Sequence, residues 1–348
     1  MSLNPAIRSL VKDYLTDRGH TDLIYDSIKR GGNNQVYVLN ADTRPIVLKI
    51  YFRHPDDPRD RLHHEYTFTK FIWENGIHVV PKPLLMNAEL GFALYEFVEG
   101  IQPTREHVSE ALIEQFIEFL LTINKFRKQA FDRNIPFGSD ACFSIEDHVT
   151  GVQKRIDRLL AFEPETALDH DAKRFADQHL RSTWDAIKLH ITIFSKAMNQ
   201  PSSFSLPRED WLLSPSDFGF HNAILKADDS LIFLDFEYAG WDDMAKTLND
   251  FYCHPAIPVP RDSYHRNVEQ VAATFTHQEL HIQRVQALFP LYQMQWCCIL
   301  LNEFLRTSRT RREFANLDQD IEAKKLQQLQ KSRQAHAEIE LRDLGKLN

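Results

Sequence analysis

No stretch of this sequence approaches the ~20 consecutive apolar residues that a membrane-crossing helix needs. Its start, Met1-Ser2-Leu3-Asn4-Pro5, has neither the basic opening nor the apolar core of a secretory signal. A soluble, cytoplasmic chain with no membrane partner is expected. Cysteine is sparse: Cys142, Cys253, Cys297 and Cys298 show no CxxC or other metal-binding spacing. The adjacent pair lies in an apolar run from Trp296 to Leu301, so these thiols are read as buried and reduced. There is no basic stripe and the formal net charge is −8, which argues against a nucleic-acid partner. Internal repeats, a Walker A loop and a GxGxxG fingerprint are also missing. What remains is a chain of 348 residues, 43% apolar and 26% charged, long enough to bury a substantial core in two domains or lobes.

Helical spacing of Ile7, Leu10, Val11 and Leu15 predicts a helix over 5–17, stopped by Gly19. Strands are predicted at 23–28, 36–39 and 46–52, a helix at 60–75, and two further strands at 83–86 and 92–97. The cluster Arg30-Gly31-Gly32-Asn33-Asn34-Gln35 separates the first two strands as a turn. This order describes a small antiparallel sheet with a helix packed on it. After Thr104 the pattern turns helical over 105–128 and 145–199. A compact strand-rich passage covers 211–214, 223–226 and 231–235, and helices are expected to resume near Trp241. The boundary falls near residue 100, dividing a sheet-rich part, 1–100, from a mostly helical part, 101–348. Residues 308–345 are highly charged, with Phe314, Leu317, Ile321 and Leu329 as apolar positions; no heptad is sustained, so a solvated helix with one packed face is expected there rather than a coiled coil. The 24 phenylalanines are read mostly as core, with a few lining a ligand slot.

The chemistry concentrates in two passages. In the first, Asp217 and Asn222 stand five residues apart on a loop entering a strand. In the second, the apolar run Leu231-Ile232-Phe233-Leu234 ends in Asp235. A divalent metal that activates a phosphate takes hard oxygen ligands, and Asn222 and Asp235 supply them. Asp217 is then left to align an attacking hydroxyl and accept its proton. Either feature alone is common: Asp-x-x-x-x-Asn arises by chance, and an aspartate after a strand is often a helix cap. Their order and spacing together are far more specific. Lys49 sits in an otherwise apolar strand pattern and needs a counter-charge. Glu65 on the next helix provides it, and a lysine so held can reach the α- and β-phosphates of ATP. Gly31, Gly32 and Asn34 form a turn whose backbone amides can cradle phosphate, a weak signal by itself.

From about Ile28 to Phe251, and most strongly over Asp217–Asp250, the sequence resembles the aminoglycoside phosphotransferase family within the choline-kinase-like and protein-kinase-like superfamily. The resemblance implies an α+β, protein-kinase-like two-lobed fold, with a small antiparallel-sheet N-lobe and a large, mostly helical C-lobe. It implies a glycine turn at Gly31, Gly32 and Asn34, a nucleotide lysine at Lys49 with its partner Glu65, and a hinge over Tyr95–Gly100. The backbone of Glu96, Phe97 and Val98 in that hinge would hold adenine. The catalytic aspartate falls on Asp217 and the magnesium ligands on Asn222 and Asp235, with ATP and Mg2+ as cofactors. The family's His-Gly before the catalytic aspartate is replaced here by Pro215 and Ser216, and its Asp-Pro by Asp243-Met244. The replaced histidine would normally brace the loop. A protein kinase's long activation segment and Ala-Pro-Glu motif are absent after Asp235. The expected activity is phosphoryl transfer from ATP to a hydroxyl of a small molecule such as an aminoglycoside, amino alcohol or sugar. The alternative is a catalytically silent nucleotide-binding scaffold.

Glu99, Glu237, Asp242 and Asp243 are expected near the pocket mouth, where they would favour a cationic acceptor. His277 and His281 are four apart on a helix but lack the glutamate position and third ligand of a zinc helix. His63 and His64 read as helix surface, and His221 as a packing residue within the catalytic loop.

Overall fold

The computed structural model describes residues 3–19, 24–28, 34–40, 44–55, 57–305 and 320–339. The N-terminal region is a sheet of five antiparallel strands with a helix on each face. Helix α1 (Pro5–Thr16) is followed by β1 (Ile24–Ile28), β2 (Gln35–Asn40), β3 (Ile46–Ile50), α2 (Arg61–Glu74), β4 (Pro83–Asn87) and β5 (Phe92–Glu96). The strands lie in the order β1-β2-β3-β5-β4. Alternation along β3 decides what each face does. Ile46 and Leu48 point to one face and are buried with Phe92 and Leu94 of β5 against Ile7, Val11 and Leu15 of α1. Each fully buried side chain of this kind contributes about 1.5–3 kcal/mol. Val47 and Lys49 point to the other face. Register places Val36 opposite Lys49 on one side and Tyr95 opposite Val47 on the other. Lys49 therefore stands on the face covered by α2, among apolar neighbours. Asp60 caps α2, accepting from the His63 N–H at 3.1 Å.

Beyond β5 the chain is mostly helical. It runs through α3 (Glu110–Asn124), α4 (Arg127–Asp132), α5 (Ile145–Ala161), α6 (Ala167–Phe175) and α7 (Arg181–Ala197). Two short ribbons interrupt the helices. Strand β6 (Leu212–Ser214) pairs with β9 (Gly240–Asp242), and β7 (Ala223–Leu225) with β8 (Leu231–Phe233), both antiparallel. Then come α8 (Met244–Cys253), α9 (Tyr264–Ala272), α10 (Gln278–Leu300) and α11 (Ile321–Ala337). The helix expected from Trp241 thus begins three residues later. Gly240-Trp241-Asp242 pairs instead with β6, and Asp243 caps α8 by accepting from the Ala245 N–H at 2.8 Å. Within the charged C-terminal stretch, α11 packs one face, with Leu329 and Ser332 buried and Ile321 exposed; Phe314 and Leu317 lie outside the described residues. All four cysteines are free thiols, three buried and Cys253 half-buried. Among the described residues no helix is long and apolar enough to cross a membrane.

The loop between β6 and β7 is pinned from below by aromatic packing. Phe218 and Phe220, on either side of Gly219, both meet Phe116 of α3, with ring centroids 4.9 Å and 4.5 Å away. Phe233 of β8 and Phe251 of α8 close on the same ring at 4.9 Å and 5.0 Å. Such pairs add about 0.5–1.5 kcal/mol each beyond their buried area. That loop is therefore fixed by the core itself.

The connection after β5 is fixed by Gly100. Its φ is +148°, and a Cβ there would lie 2.5 Å from both the Leu225 carbonyl oxygen and Ile224 Cγ2. The bare backbone lets Ile101 bridge to Leu225, donating at 3.0 Å and accepting at 2.8 Å. Gly100→Ala is expected to cost about 1–3 kcal/mol, read as a lower urea midpoint at unchanged slope.

Candidate active site

Lys49 is the centre of the buried charge. Its Nζ donates to Glu65 Oε2 and to Asp235 Oδ1, each at 2.6 Å. Glu237, two residues after Asp235, joins them: Glu65, Asp235 and Glu237 have oxygens within 4.8 Å of one another. Burial alone would lower the Lys49 pKa. Asp235, Glu65 and Glu237 more than reverse that and hold the ammonium charged, well above the ordinary lysine range. The same burial pushes the Glu65 carboxyl up to about 7 against the pull of Lys49. Burial, reinforced by Asp235, also raises Glu237. Three carboxylates crowd one ammonium at close range, with the Arg61 guanidinium 3.7 Å from Glu237; these hard oxygen donors suit an additional cation.

The second group is the loop after β6. Ser216 and Asp217 adopt φ of +48° and +31° there, and Asp235 lies at +65°. Left-handed backbone at non-glycine residues carries strain, held here by the packing beneath the loop. The Asn222 amide nitrogen donates to the Asp217 carbonyl at 2.9 Å and lies 3.4 Å from Asp217 Oδ2. That leaves Asn222 Oδ1 without a hydrogen bond among the described residues. The Asn222 carbonyl accepts from the Leu234 N–H at 2.8 Å, tying the loop to the residue beside Asp235. Asp217 is one-third exposed and lies 3.3 Å from His221 Nε2 and 3.6 Å from His254 Nε2. Burial opposes its charge, but these two imidazoles hold the carboxyl well below the usual carboxylate range.

A cavity of about 490 Å³ opens over the Lys49 cluster and Asn222; Asp217 lies beside it and is not one of its lining residues. Lys49, Glu65, Asp235 and Asn222 line it, and Val36, Val47, Ile224 and Leu234 supply apolar walls. Glu96, Phe97 and Val98 form part of its rim. The Glu96 N–H donates to the Lys82 carbonyl at 2.9 Å and the Phe97 N–H to the Pro45 carbonyl at 3.3 Å. The Val98 N–H makes no hydrogen bond with the described residues. Phe97 and Phe236 are the phenylalanines of the slot. Asn34 also lines it, donating to Glu237 Oε2 at 2.5 Å and accepting from the Phe52 N–H at 3.1 Å. Gly31 and Gly32 lie outside the described residues.

Several expectations are corrected. Of the four acids expected at the pocket mouth, Glu99 is exposed but the other three are buried. Glu237 belongs to the Lys49 cluster. Asp242 pairs with Lys246 and accepts from the Cys142 N–H. Asp243 binds Arg284 at 2.6 Å and His148 at 3.0 Å. A buried carboxylate requires such partners, which sequence spacing does not reveal. His64 is half-buried rather than surface: its Nδ1 donates to the Ala239 carbonyl at 2.8 Å, tethering α2 beside Glu65. His277 and His281 both bind the buried Asp210, at 3.0 Å and 3.2 Å, as a structural bracket. Arg61, almost fully buried between Asp57 and Glu237, carries no sequence signal, and neither does His254 at the end of α8.

The sequence matches the phosphotransferase enzyme family over residues 26–280. A comparison with curated protein sequences finds no significant match. Among solved structures, an ethanolamine kinase of Plasmodium vivax is 15% identical, with a TM-score of 0.54 over 89% of this chain and 82% of that one. A choline kinase of Streptococcus pneumoniae is 12% identical, with a TM-score of 0.55 over 95% of this chain and 99% of that one. A spectinomycin phosphotransferase, solved with ADP and spectinomycin, is 11% identical, with a TM-score of 0.53 over 92% of this chain and 98% of that one. At these identities the likeness is one of fold, and it places the chain among kinase-like folds.

Proposed function

Because the chain belongs to the phosphotransferase enzyme family, we propose that it moves the γ-phosphoryl group of ATP to a hydroxyl of a small molecule. In this reading residues 1–100 form the nucleotide-binding lobe and 101–348 the lobe that carries the catalytic loop and acceptor pocket. One observation carries it: Lys49, Glu65 and Asp235 meet in a single knot, facing the same cavity as Asn222. Adenine fits the apolar end between Val36, Val47 and Ile224, with the Val98 N–H as its donor. The turn at Gly31, Gly32 and Asn34 would cover the phosphates, and Lys49, held by Glu65, neutralises the α- and β-phosphates. Asn222 Oδ1 and Asp235 are the oxygens that would hold Mg2+, which when bound shields charge on the β- and γ-phosphates. Asp217 aligns the acceptor hydroxyl and takes its proton. Most of the acceleration then comes from positioning and charge neutralisation.

Every charged position this scheme needs is present, which weighs against a silent scaffold. The acceptor is read as an amine-bearing alcohol. Asp250 lies one helical turn before His254 on α8, close enough to Asp217 for their charges to repel. It accepts from Gln295 at 3.1 Å and forms no ion pair among the described residues. Burial pushes its carboxyl up to about 7 against the pull of Lys246, with Asp217 and Asp242 adding to the rise and Arg155 opposing it. A bound ammonium would relieve that. The test is ADP release from Mg·ATP across amino alcohols, aminoglycosides and neutral sugars. Acceptor-dependent release with amines is expected. Tight ATP binding with no release on any acceptor would sink the enzyme reading, and release on neutral sugars alone would sink the amine preference.

A further inference from the structure

Two histidines converge on one oxygen of Asp217. His221 Nε2 lies 3.3 Å and His254 Nε2 3.6 Å from Asp217 Oδ1. The two rings stack with centroids 3.8 Å apart and planes 8° from parallel. Trp296 of α10 presses its ring against His254 at 4.2 Å, and His254 is 8% exposed. The stack exists because residue 219 has no side chain. A Cβ on Gly219 would lie 2.9 Å from His221 Nδ1 and 3.0 Å from its Cε1. The backbone also settles which His254 nitrogen carries the proton. The Ala256 N–H donates to His254 Nδ1 at 3.2 Å, so that nitrogen is an acceptor and the proton of the neutral ring sits on Nε2, facing Asp217.

The Asp217, His221 and His254 ligand atoms also lie close enough together to suggest a metal. The ring geometry argues against it. Stacked imidazoles direct their in-plane lone pairs side by side rather than toward one ion, and His254 Nε2 has no lone pair to give while it holds its proton.

We propose that His254, stacked on His221, is a positioning residue that holds Asp217 Oδ1 and so presents Oδ2 to the acceptor. Resting on the phosphoryl-transfer reading above, this assigns to the residue that ends α8 the bracing of a loop that has Pro215 and Ser216 ahead of its aspartate. The terminal torsion of an aspartate is soft, with a broad energy minimum. Neither contact is a hydrogen bond at rest, and both His221 nitrogens lack a hydrogen-bond partner among the described residues. Two ring nitrogens packed beside one oxygen nonetheless restrict that freedom before the acceptor arrives. Contacts of 3.3–3.6 Å are long, and such contacts tighten when a reacting complex forms. Misplacing a catalytic group by about 1 Å costs on the order of 10²-fold.

The test uses the full chain with Mg·ATP and water as acceptor, read as ADP release, together with the imidazole nitrogen spectrum. His254→Phe keeps a ring under Trp296 but offers no donor; a fall in kcat of about 10- to 100-fold at unchanged KM for ATP is expected. His254→Gln returns an N–H at the Nε2 position and is expected to recover most of the rate. Gly219→Ala, which displaces the His221 ring and removes no polar group, is expected to fall with the phenylalanine variant. Thermal midpoints and ATP affinity show whether each variant is folded. In the spectrum, His254 is expected as the Nε2–H form, its proton signal moving when Asp217 is replaced by asparagine. That measurement needs no turnover. A wild-type kcat in His254→Phe, a glutamine variant no better than phenylalanine, or an Nε2–H signal indifferent to Asp217→Asn would each overturn the proposal. If Asp217→Asn keeps the wild-type rate while the His254 signal still moves, the phosphoryl-transfer reading fails and the contact stands.

Discussion

Asp217→Asn is expected to lower acceptor-dependent ADP release by about 10²- to 10⁴-fold while ATP affinity stays essentially unchanged. The substitution keeps the shape of the side chain and replaces one basic oxygen with an amide nitrogen that cannot take a proton. It also puts a donor where Asn222 Nδ2, itself a donor, lies 3.4 Å away. The flipped alternative turns the new NH2 toward the two imidazoles. Neither orientation presents a base to a hydroxyl. The nucleotide is spared because its proposed contacts lie elsewhere, on Lys49, Asp235 and the Val98 N–H. Asn222 keeps its place, since its main bond is to the backbone carbonyl of residue 217. Steady-state rates paired with calorimetric ATP binding separate the two effects. A variant with the wild-type rate would remove Asp217 from the chemistry. A variant that loses ATP binding in parallel would make it a structural residue.

The parts of this site legible in the sequence are those set by short-range rules. Alternation in Ile46–Ile50 isolates Lys49 among apolar residues, and burial of an ammonium demands an acid, so Glu65 on the following helix could be named. The run Leu231–Leu234 ends in an aspartate because a buried strand meets the cavity there. Where partners are distant in the chain, charge alone misleads. Asp243 reads as a pocket-mouth acid, yet its partners stand 95 residues before it and 41 after it. Three residues, Gly240-Trp241-Asp242, are too few for any period to distinguish strand from helix; pairing with Leu212–Ser214 decides it. His254 is silent for the same reason. Its meaning depends on a ring stack with His221 across the fold and on a glycine whose importance lies in the side chain it lacks.

The largest stability effect is expected at Arg284. Its Nη2 donates to Asp243 Oδ2 at 2.6 Å, and His148 Nε2 donates to the same oxygen at 3.0 Å. The Tyr292 hydroxyl stands 2.6 Å from the other His148 nitrogen, so the network continues into α10. Asp243, Arg284 and His148 are all within 2% of full burial. Removing one charge from such a pair strands the other, at a cost of about 3–5 kcal/mol, a large part of the ~5–15 kcal/mol that holds a typical domain. Arg284→Met is thus expected to unfold at much lower urea. Asp243→Asn/Arg284→Met is expected to recover part of the loss, because no unpaired carboxylate remains. Acid tests the same pair. Burial works against the Asp243 carboxylate, but Arg284 and His148 hold its pKa far below the ordinary value of an aspartate. The unfolded chain, with an aspartate near ~3.9, binds the proton first as pH falls. The stability this pair contributes is therefore whole above about pH 4 and drains away below it. Arg284→Met, already without it, is expected to show a shallower loss between about pH 4 and pH 2. Equal acid slopes in the two proteins would dissolve the argument. The consequence reaches the active site, because Asp243 caps the helix that carries Asp250 and, at its end, His254. When the cap goes, the brace on Asp217 goes with it, and loss of rate is expected to precede loss of fold as acid or urea is raised.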